Sequence, residues 1–340
     1  MGEDGYNGRY IFTRDCRMTW DFRGQGKAYE EERLLVIVMK KRILITGSGG
    51  FLGSRLAEYF EGKDGYETVA VTHEELDITD MVAVSAFFKA IRPLAVLHCA
   101  GLSDTRQCEA DPLASGRINV QGTENIARAC RESGCRLIFM SSDQVYTGTD
   151  TLEPNRETDR VKPVNVYGRD KKRAEEAALA LTEGAICLRL TWMYDYPVPK
   201  RTPGTGLLGH IFEAVEEERA VISPVHDYRG ITYVWDVIRA MEQVMELPGG
   251  VYNFGSTNQR NAWETAGLFA QAAAVKTGIL PKVEADLERF RSVPRNLTID
   301  TGKMERFGIC LGDTAEGLAR CMKDNGVCWQ WKKEQLSVRG

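Results

Sequence analysis

The sequence has no Cys-x-x-Cys pair and no His-x-x-x-His or His-Glu-x-x-His spacing. Its nine cysteines are odd in number and scattered over 340 residues, and it has four histidines. These absences indicate neither a disulfide framework nor a zinc site, so no metal centre is expected and the cysteines read as reduced thiols, many of them buried as small hydrophobes. Long hydrophobic runs are missing too. The stretch at 34–39 near the start has six apolar residues and is followed by two lysines, far short of a membrane span and shorter than a typical signal-peptide core. Nor does one sign of charge dominate: 48 acidic and 44 basic residues leave a formal net charge of −4. Such a balance gives no electrostatic case for wrapping nucleic acid or coating an anionic membrane. A cytoplasmic protein that engages neither is the expectation.

What is present is the composition of an ordinary globular protein, long enough for two domains or for one α/β domain with an appendage. Residues 1–38 stand apart. They scatter the aromatics Tyr6, Tyr10, Phe12, Trp20 and Phe22 among polar residues with no sustained period. This segment reads as an N-terminal extension, poorly ordered and outside the fold, with Met39 a natural start for the first strand. From residue 41, apolar runs at 42–46, 68–72, 95–99, 137–141 and 185–190 alternate with helical periods at 51–60, 81–91, 114–133 and 165–181. In the third of these helices Ile118, Ile126, Ala127 and Cys130 are expected to share one face. Strands alternating with helices of this length predict a Rossmann-type, doubly wound parallel sheet over residues 39–196. After Pro197 the alternation fails, and helices are expected near 207–217, 262–274 and 313–323. Residues 197–340 therefore read as a smaller, mainly substrate-binding lobe, with part of 231–256 returning to the sheet domain.

The run Thr46-Gly47-Ser48-Gly49-Gly50-Phe51-Leu52-Gly53 follows an apolar strand and opens a helix. In that setting Gly47 permits a tight turn, Gly50 admits a close backbone approach and Gly53 allows close packing. A helix N-terminus with free N–H groups suits a pyrophosphate, so Gly47, Gly50, Phe51, Leu52 and Gly53 are candidate cofactor-binding residues. Dinucleotide cofactors are further read at the end of the second strand. Here Thr72 leaves room for a 2′-phosphate, with Arg55 or His73 to meet it, which leans toward NADP(H). Glu74 as a ribose acceptor keeps NAD(H) open. Asp77, followed by Ile78, reads either as an adenine-edge contact or as a solvated loop acid.

Tyr167 and Lys171 lie four apart at the start of a predicted helix and so on one face. An ammonium beside a phenol, with an oxidised nicotinamide nearby, moves the phenol toward the range of proton exchange. Ser142 closes the fourth strand about 25 residues upstream, at the carboxyl edge where sheet ligands sit. Hydroxyl, phenol and ammonium together make a proton relay between a carbonyl and an alcohol. The run 169–173, followed by Glu175 and Glu176, reads as a solvated helix face rather than a nucleic-acid patch. Trp192 shapes a pocket or belongs to the core, and Arg229 and Arg295 are candidates for a diphosphate.

With these motifs in place, residues 40–310 resemble the extended short-chain dehydrogenase/reductase family. Within it they are similar to dTDP-4-dehydrorhamnose reductases and related sugar-nucleotide-modifying proteins. The likeness rests on residues 46–53, 76–80, 97–101, 117–120, 141–143, 167–171 and 188–194, with 228–233 and 295–300 as substrate-side segments. It implies that Ser142, Tyr167 and Lys171 are catalytic, that Lys171 also holds a ribose, and that Ala100, Gly101 and Asn119 serve the cofactor. Asp143 and Gln144 then join Trp192, Arg229 and Arg295 on the substrate side. These reductases usually read Thr-Asp-Tyr where this chain has Ser142-Asp143-Gln144. Related 4,6-dehydratases carry Asp-Glu there; Gln144 cannot exchange a proton as Glu does, which disfavours dehydration.

The function implied is NAD(P)H-dependent reduction of a keto-sugar nucleotide. Two alternatives stay open at this point: an epimerase that retains NAD⁺, and a non-catalytic regulatory subunit similar to that of methionine adenosyltransferase. The partners expected are a nucleotide-sugar substrate and, as an open alternative, a second copy of the chain in a homodimer.

Overall fold

The computed structural model describes residues 40–198 and 206–329, together with the antiparallel backbone pair Ile11–Phe12 and Met18–Thr19. The expected extension at 1–38 otherwise lies outside the described residues.

Six parallel strands form the central sheet: β1 (Lys41–Thr46), β2 (Tyr66–Val71), β3 (Ala95–His98), β4 (Arg136–Ser142), β5 (Ile186–Leu190) and β6 (Gly250–Phe254). Their spatial order is β6-β5-β4-β3-β1-β2. The chain leaves β1 toward β2, then crosses back to place β3 on β1's other side, with Thr46 opposite His98. That reversal puts a crevice beyond the carboxyl ends of β1 and β3, the usual ligand position in such sheets.

Alternation along each strand supplies both faces of the core. Ile43, Ile45, Leu97, Ile138, Met140, Leu188 and Leu190 meet helices Phe51–Glu61 and Val234–Met245 on one face. Leu44, Val96, Leu137, Phe139 and Cys187 meet helices Met81–Ile91, Gly122–Ser133 and Val166–Leu181 on the other. With both faces covered, the strands can be apolar nearly throughout. Helix Val234–Met245 was not anticipated, although Val234, Val237, Ile238, Met241 and Val244 form a regular buried stripe.

The helix expected at 114–133 is three pieces: Pro112–Gly116, a π-helical turn at Arg117–Gln121, and Gly122–Ser133. The wider turn shifts the register of everything before it. Ile118 therefore does not share the buried face of Ile126, Ala127 and Cys130; Asn119 and Val120 turn inward instead. The second strand ends at Val71 rather than residue 72, because the Thr72 N–H donates to the Glu75 carboxylate at 2.8 Å.

Residues 206–329 build a second core from helices Gly206–Glu216, Ala262–Thr277 and Thr314–Asp324, centred on Leu208, Ile211, Phe269 and Leu318. The last two helices start with capping boxes, Asn261 with Glu264 and Asp313 with Glu316. Short parallel pairs, Val221–Pro224 with Val283–Asp286 and Asp227–Arg229 with Arg295–Leu297, bring distant segments to the crevice. Arg55 and Asp195, 2% and 0% exposed, join the first helix at 2.6 Å to the segment that leads toward this lobe. Among the described residues no helix is long and apolar enough to cross a membrane.

Candidate active site

The crevice is a cleft of about 1030 Å³ between the carboxyl edge of the sheet and the second lobe. Its floor is backbone. Gly47 has φ +68°, and a Cβ there would lie 2.7 Å from the Ala100 N and Cα, so only glycine fits the approach of the two loops. A Cβ on Gly53 would overlap the Gly47 carbonyl, whereas one on Gly50 would meet that oxygen at 3.3 Å. Helix Phe51–Glu61 has Gly50 as N-cap, with no capping side chain and no acid in its first turn. Its N-terminal amides are thus open to an anion, and Gly47, Gly50, Phe51, Leu52 and Gly53 all line the cleft. This cradle fits the pyrophosphate of a dinucleotide.

Gly101 lines the cleft as well, and the loop that carries it is clamped by Asn119. The Asn119 Oδ1 accepts from Leu102 N at 2.8 Å, and its Nδ2 donates to Leu102 O at 3.0 Å and Ser115 Oγ at 3.2 Å. Ala100 N donates to Thr46 Oγ1 at 3.3 Å. Ser115 in turn donates to Asp170 Oδ2 at 2.7 Å, on the helix that carries Tyr167. Asn119 therefore acts through the loop from the core and does not line the cleft.

Ser142, Tyr167 and Lys171 come together in the cleft wall. Burial raises the Tyr167 phenol above its ordinary range, against an opposing influence of the nearby Ser142 side chain. Lys171 donates to Met140 O at 2.8 Å, and its ammonium stands 5.7 Å from the Tyr167 ring centre. Burial pulls Lys171 down to about 8. The phenol is thus pushed up rather than down, because desolvation outweighs the opposing influence of Ser142.

Their helix is anchored by a buried cluster that sequence reading missed. Glu175 accepts from Arg189 Nη2 at 2.8 Å and from Ser141 Oγ at 2.5 Å, and Arg189 donates to the Tyr146 hydroxyl at 2.8 Å. The expected solvated face is correspondingly divided. Arg169, Arg173 and Glu176 are exposed, while Asp170, Lys171 and Glu175 are buried. The signal was the spacing of Tyr167, Lys171, Ala174, Glu175 and Ala178, which places the charges on the inward stripe.

On the opposite side Trp192 is half-buried, lining the cleft and packing against the lobe core at once. The Arg229 guanidinium lies 5.4 Å over its ring and donates to Asp143 Oδ2 at 2.8 Å. Arg295 grips Asp227 through Nε at 2.8 Å and Nη2 at 2.5 Å. Both arginines line the cleft, but their charge is already met by aspartates. Asp143 and Gln144 line it too, as do the exposed Arg219 and Arg289. Nothing in the local sequence distinguishes the last two.

Thr72, His73, Asp77 and Ile78 are not in the cleft lining. Thr72 binds the Glu75 carboxylate through its N–H and its hydroxyl, at 2.8 and 3.1 Å. It is therefore Glu75, not Glu74, that occupies the end of β2; Glu74 stands 3.5 Å from the exposed His73 ring. Asp77 accepts from Thr79 N and Oγ1, both at 2.8 Å, and Ile78 is buried against Gly122. Arg55 cannot approach a 2′-phosphate, because its side chain is on the core face of its helix, bonded to Asp195 and to Phe51 O. Among the described residues no group of three His, Cys, Asp or Glu side chains could hold a metal ion.

Residues 40–326 match the RmlD substrate binding domain. The chain is 31% identical over 262 residues to a dTDP-4-dehydrorhamnose reductase of Mycolicibacterium smegmatis, covering 77% of this chain and 75% of that protein. It is 29% identical over 287 residues to methionine adenosyltransferase 2 subunit beta of Xenopus laevis, covering 81% and 84%. Among solved structures, a dTDP-4-dehydrorhamnose reductase from Bacillus anthracis in complex with NADP superposes with a TM-score of 0.76 at 24% identity, over 84% of this chain and 100% of that one.

Proposed function

This chain belongs to the RmlD substrate binding domain family, and from that premise we propose that it is an NAD(P)H-dependent reductase taking dTDP-4-dehydrorhamnose to dTDP-rhamnose. The carrying observation is the meeting of Ser142, Tyr167 and Lys171 in the cleft that also holds the uncapped helix N-terminus. In this reading residues 39–196 hold the cofactor, as NADP(H) or NAD(H), and 197–340 mainly hold the substrate.

A bound nicotinamide cofactor supplies the hydride for the C4 carbonyl. Tyr167 donates its proton to the oxygen on which charge develops; a phenol held above its ordinary range is protonated at neutral pH, as a donor must be. Ser142 Oγ would donate to the same oxygen, and Lys171, 5.7 Å from the Tyr167 ring centre, would hold a ribose hydroxyl of the bound cofactor. Gly47, Gly50 and the first turn of the helix after them hold the pyrophosphate. Arg229, Arg295 and Trp192 hold the sugar-nucleotide diphosphate and its base. NADPH oxidation with candidate keto-sugars tests this reading, and equal turnover by wild type and Tyr167→Phe overturns the mechanism.

A second reading has its own support. The likeness to methionine adenosyltransferase 2 subunit beta is nearly as strong and covers more of the chain. A regulatory subunit would capture a catalytic partner in pull-down and turn over no sugar.

A further inference from the structure

Gln144 is 7% exposed, and both ends of its amide are engaged. Its Nε2 donates to Asp143 Oδ1 at 3.3 Å, and its Oε1 accepts from Asn165 Nδ2 at 3.0 Å. The two partners serve different parts of the cleft. Asp143 also accepts from Ser142 Oγ at 3.3 Å and from Arg229 Nη2 at 2.8 Å, which ties the catalytic hydroxyl to the second lobe. Asn165 is the N-cap of helix Val166–Leu181, its Oδ1 accepting from Gly168 N at 2.7 Å, the amide next to Tyr167. An unbroken run of side-chain hydrogen bonds thus joins Arg229 to the turn that presents the phenol. Its middle link must donate to a carboxylate and accept from an amide NH₂, which a primary amide does and a carboxylate or an apolar side chain does not.

Resting on the reductase reading, we infer that Gln144 is a positioning residue that couples substrate seated on Arg229 to the placement of the Tyr167 phenol, rather than a reader of the sugar. The charged and titratable groups on the elements that carry this run are Asp143 and Arg229, bonded to each other, Ser142, Tyr167 and Lys171 in the same cleft lining, Arg295 with Asp227 on its lobe side, and Glu109, which accepts from Val166 N at 2.6 Å.

The test is the pH profile of kcat at saturating keto-sugar for Gln144→Glu and Gln144→Leu. A neutral Glu carboxyl reproduces the donor and the acceptor; an ionised one lacks the donor and faces Asp143 with like charge. Gln144→Glu is expected to approach wild type at acid pH and to lose about tenfold or more in kcat as its carboxyl ionises, a cost typical of slight misplacement, with KM unchanged. Gln144→Leu is expected to be slow at every pH; if it fails to fold, the pH response of Gln144→Glu decides alone. A Gln144→Glu profile parallel to wild type overturns the inference, as does a rise in sugar KM with kcat intact. If wild type reduces no keto-sugar, the functional reading fails and the inference is judged on the protein alone. Amide hydrogen exchange over residues 165–171 at one fixed pH must then be faster in Gln144→Leu than in wild type, and unchanged exchange overturns it.

Discussion

The two walls of the cleft are built differently. On the sheet side, Gly47, Gly53 and Gly101 shape the backbone, and Ser142, Tyr167 and Lys171 come from two neighbouring elements, β4 and the helix Val166–Leu181. On the lobe side, Trp192, Arg229, Arg289 and Arg295 come from segments about a hundred residues apart, and two of the arginines are already bound to aspartates. The first wall is defined mainly by local geometry, and the run through Asp143, Gln144 and Asn165 is where the lobe reaches it. The second depends on partner choice, so a ligand must compete with Asp143 and Asp227 for the same guanidinium groups. Recognition there is an exchange of partners, whereas the sheet side presents a backbone cradle that is already formed.

The comparison can be broken at several points. The largest expected effect is on the sheet side, where Tyr167→Phe removes the proposed proton donor and should lower kcat about 10²–10⁴-fold while leaving cofactor affinity unchanged; stopped-flow and steady-state NADPH oxidation measure both. Between the walls, Asp195→Asn leaves Arg55 as a buried cation without its carboxylate, at a cost of about 3–5 kcal/mol. Denaturant unfolding reads that loss, and a midpoint close to wild type would show that the two regions are not tied there.

Lys171 gives a pH-dependent test of the same wall. Burial lowers it from 10.5 to about 8. Between those values the unfolded chain keeps a proton that the folded chain has released, so stability rises with pH across that window. Below about pH 8 the full penalty is present, roughly 3 kcal/mol at one pKa unit per 1.36 kcal/mol. Lys171→Met should therefore be more stable than wild type at pH 7, less the cost of stranding the Met140 carbonyl. Its advantage should shrink toward pH 10.5, and parallel unfolding curves across pH would contradict the assignment. The smallest effect belongs to the lobe. Arg295→Lys loses the two-pronged grip on Asp227 and on a diphosphate, and should raise sugar KM about tenfold, the worth of one charge-assisted hydrogen bond, with kcat nearly unchanged.

Residues with local signals were legible beforehand. The glycine turn, the four-residue spacing of Tyr167 and Lys171 and the five strands from residue 42 to 190 appear close to where they were expected, since each is set by neighbours within a few positions. Asn165 was placed at the start of the right helix, and its capping bond explains the boundary. The misses share one cause. The inward turn of Asn119, the withdrawal of Ile118, the burial of Arg55 against Asp195 and the seating of Glu75 on Thr72 each depend on a partner or a register shift that spacing does not encode.

By itself, then, the sequence determined a parallel α/β sheet, the position of its glycine turn and the pairing of Tyr167 with Lys171 on one helix face. Those features come from periodicity, glycine's backbone freedom and the reach of side chains four residues apart on a helix. The tertiary structure alone decided the other half of the site. It chose which arginines meet the cleft, which aspartates hold them, and how Gln144 bridges Asp143 to the cap of the Tyr167 helix. Charge pairing and hydrogen bonding act through space over a few ångströms, and only the folded chain brings Asp143 and Arg229 that close.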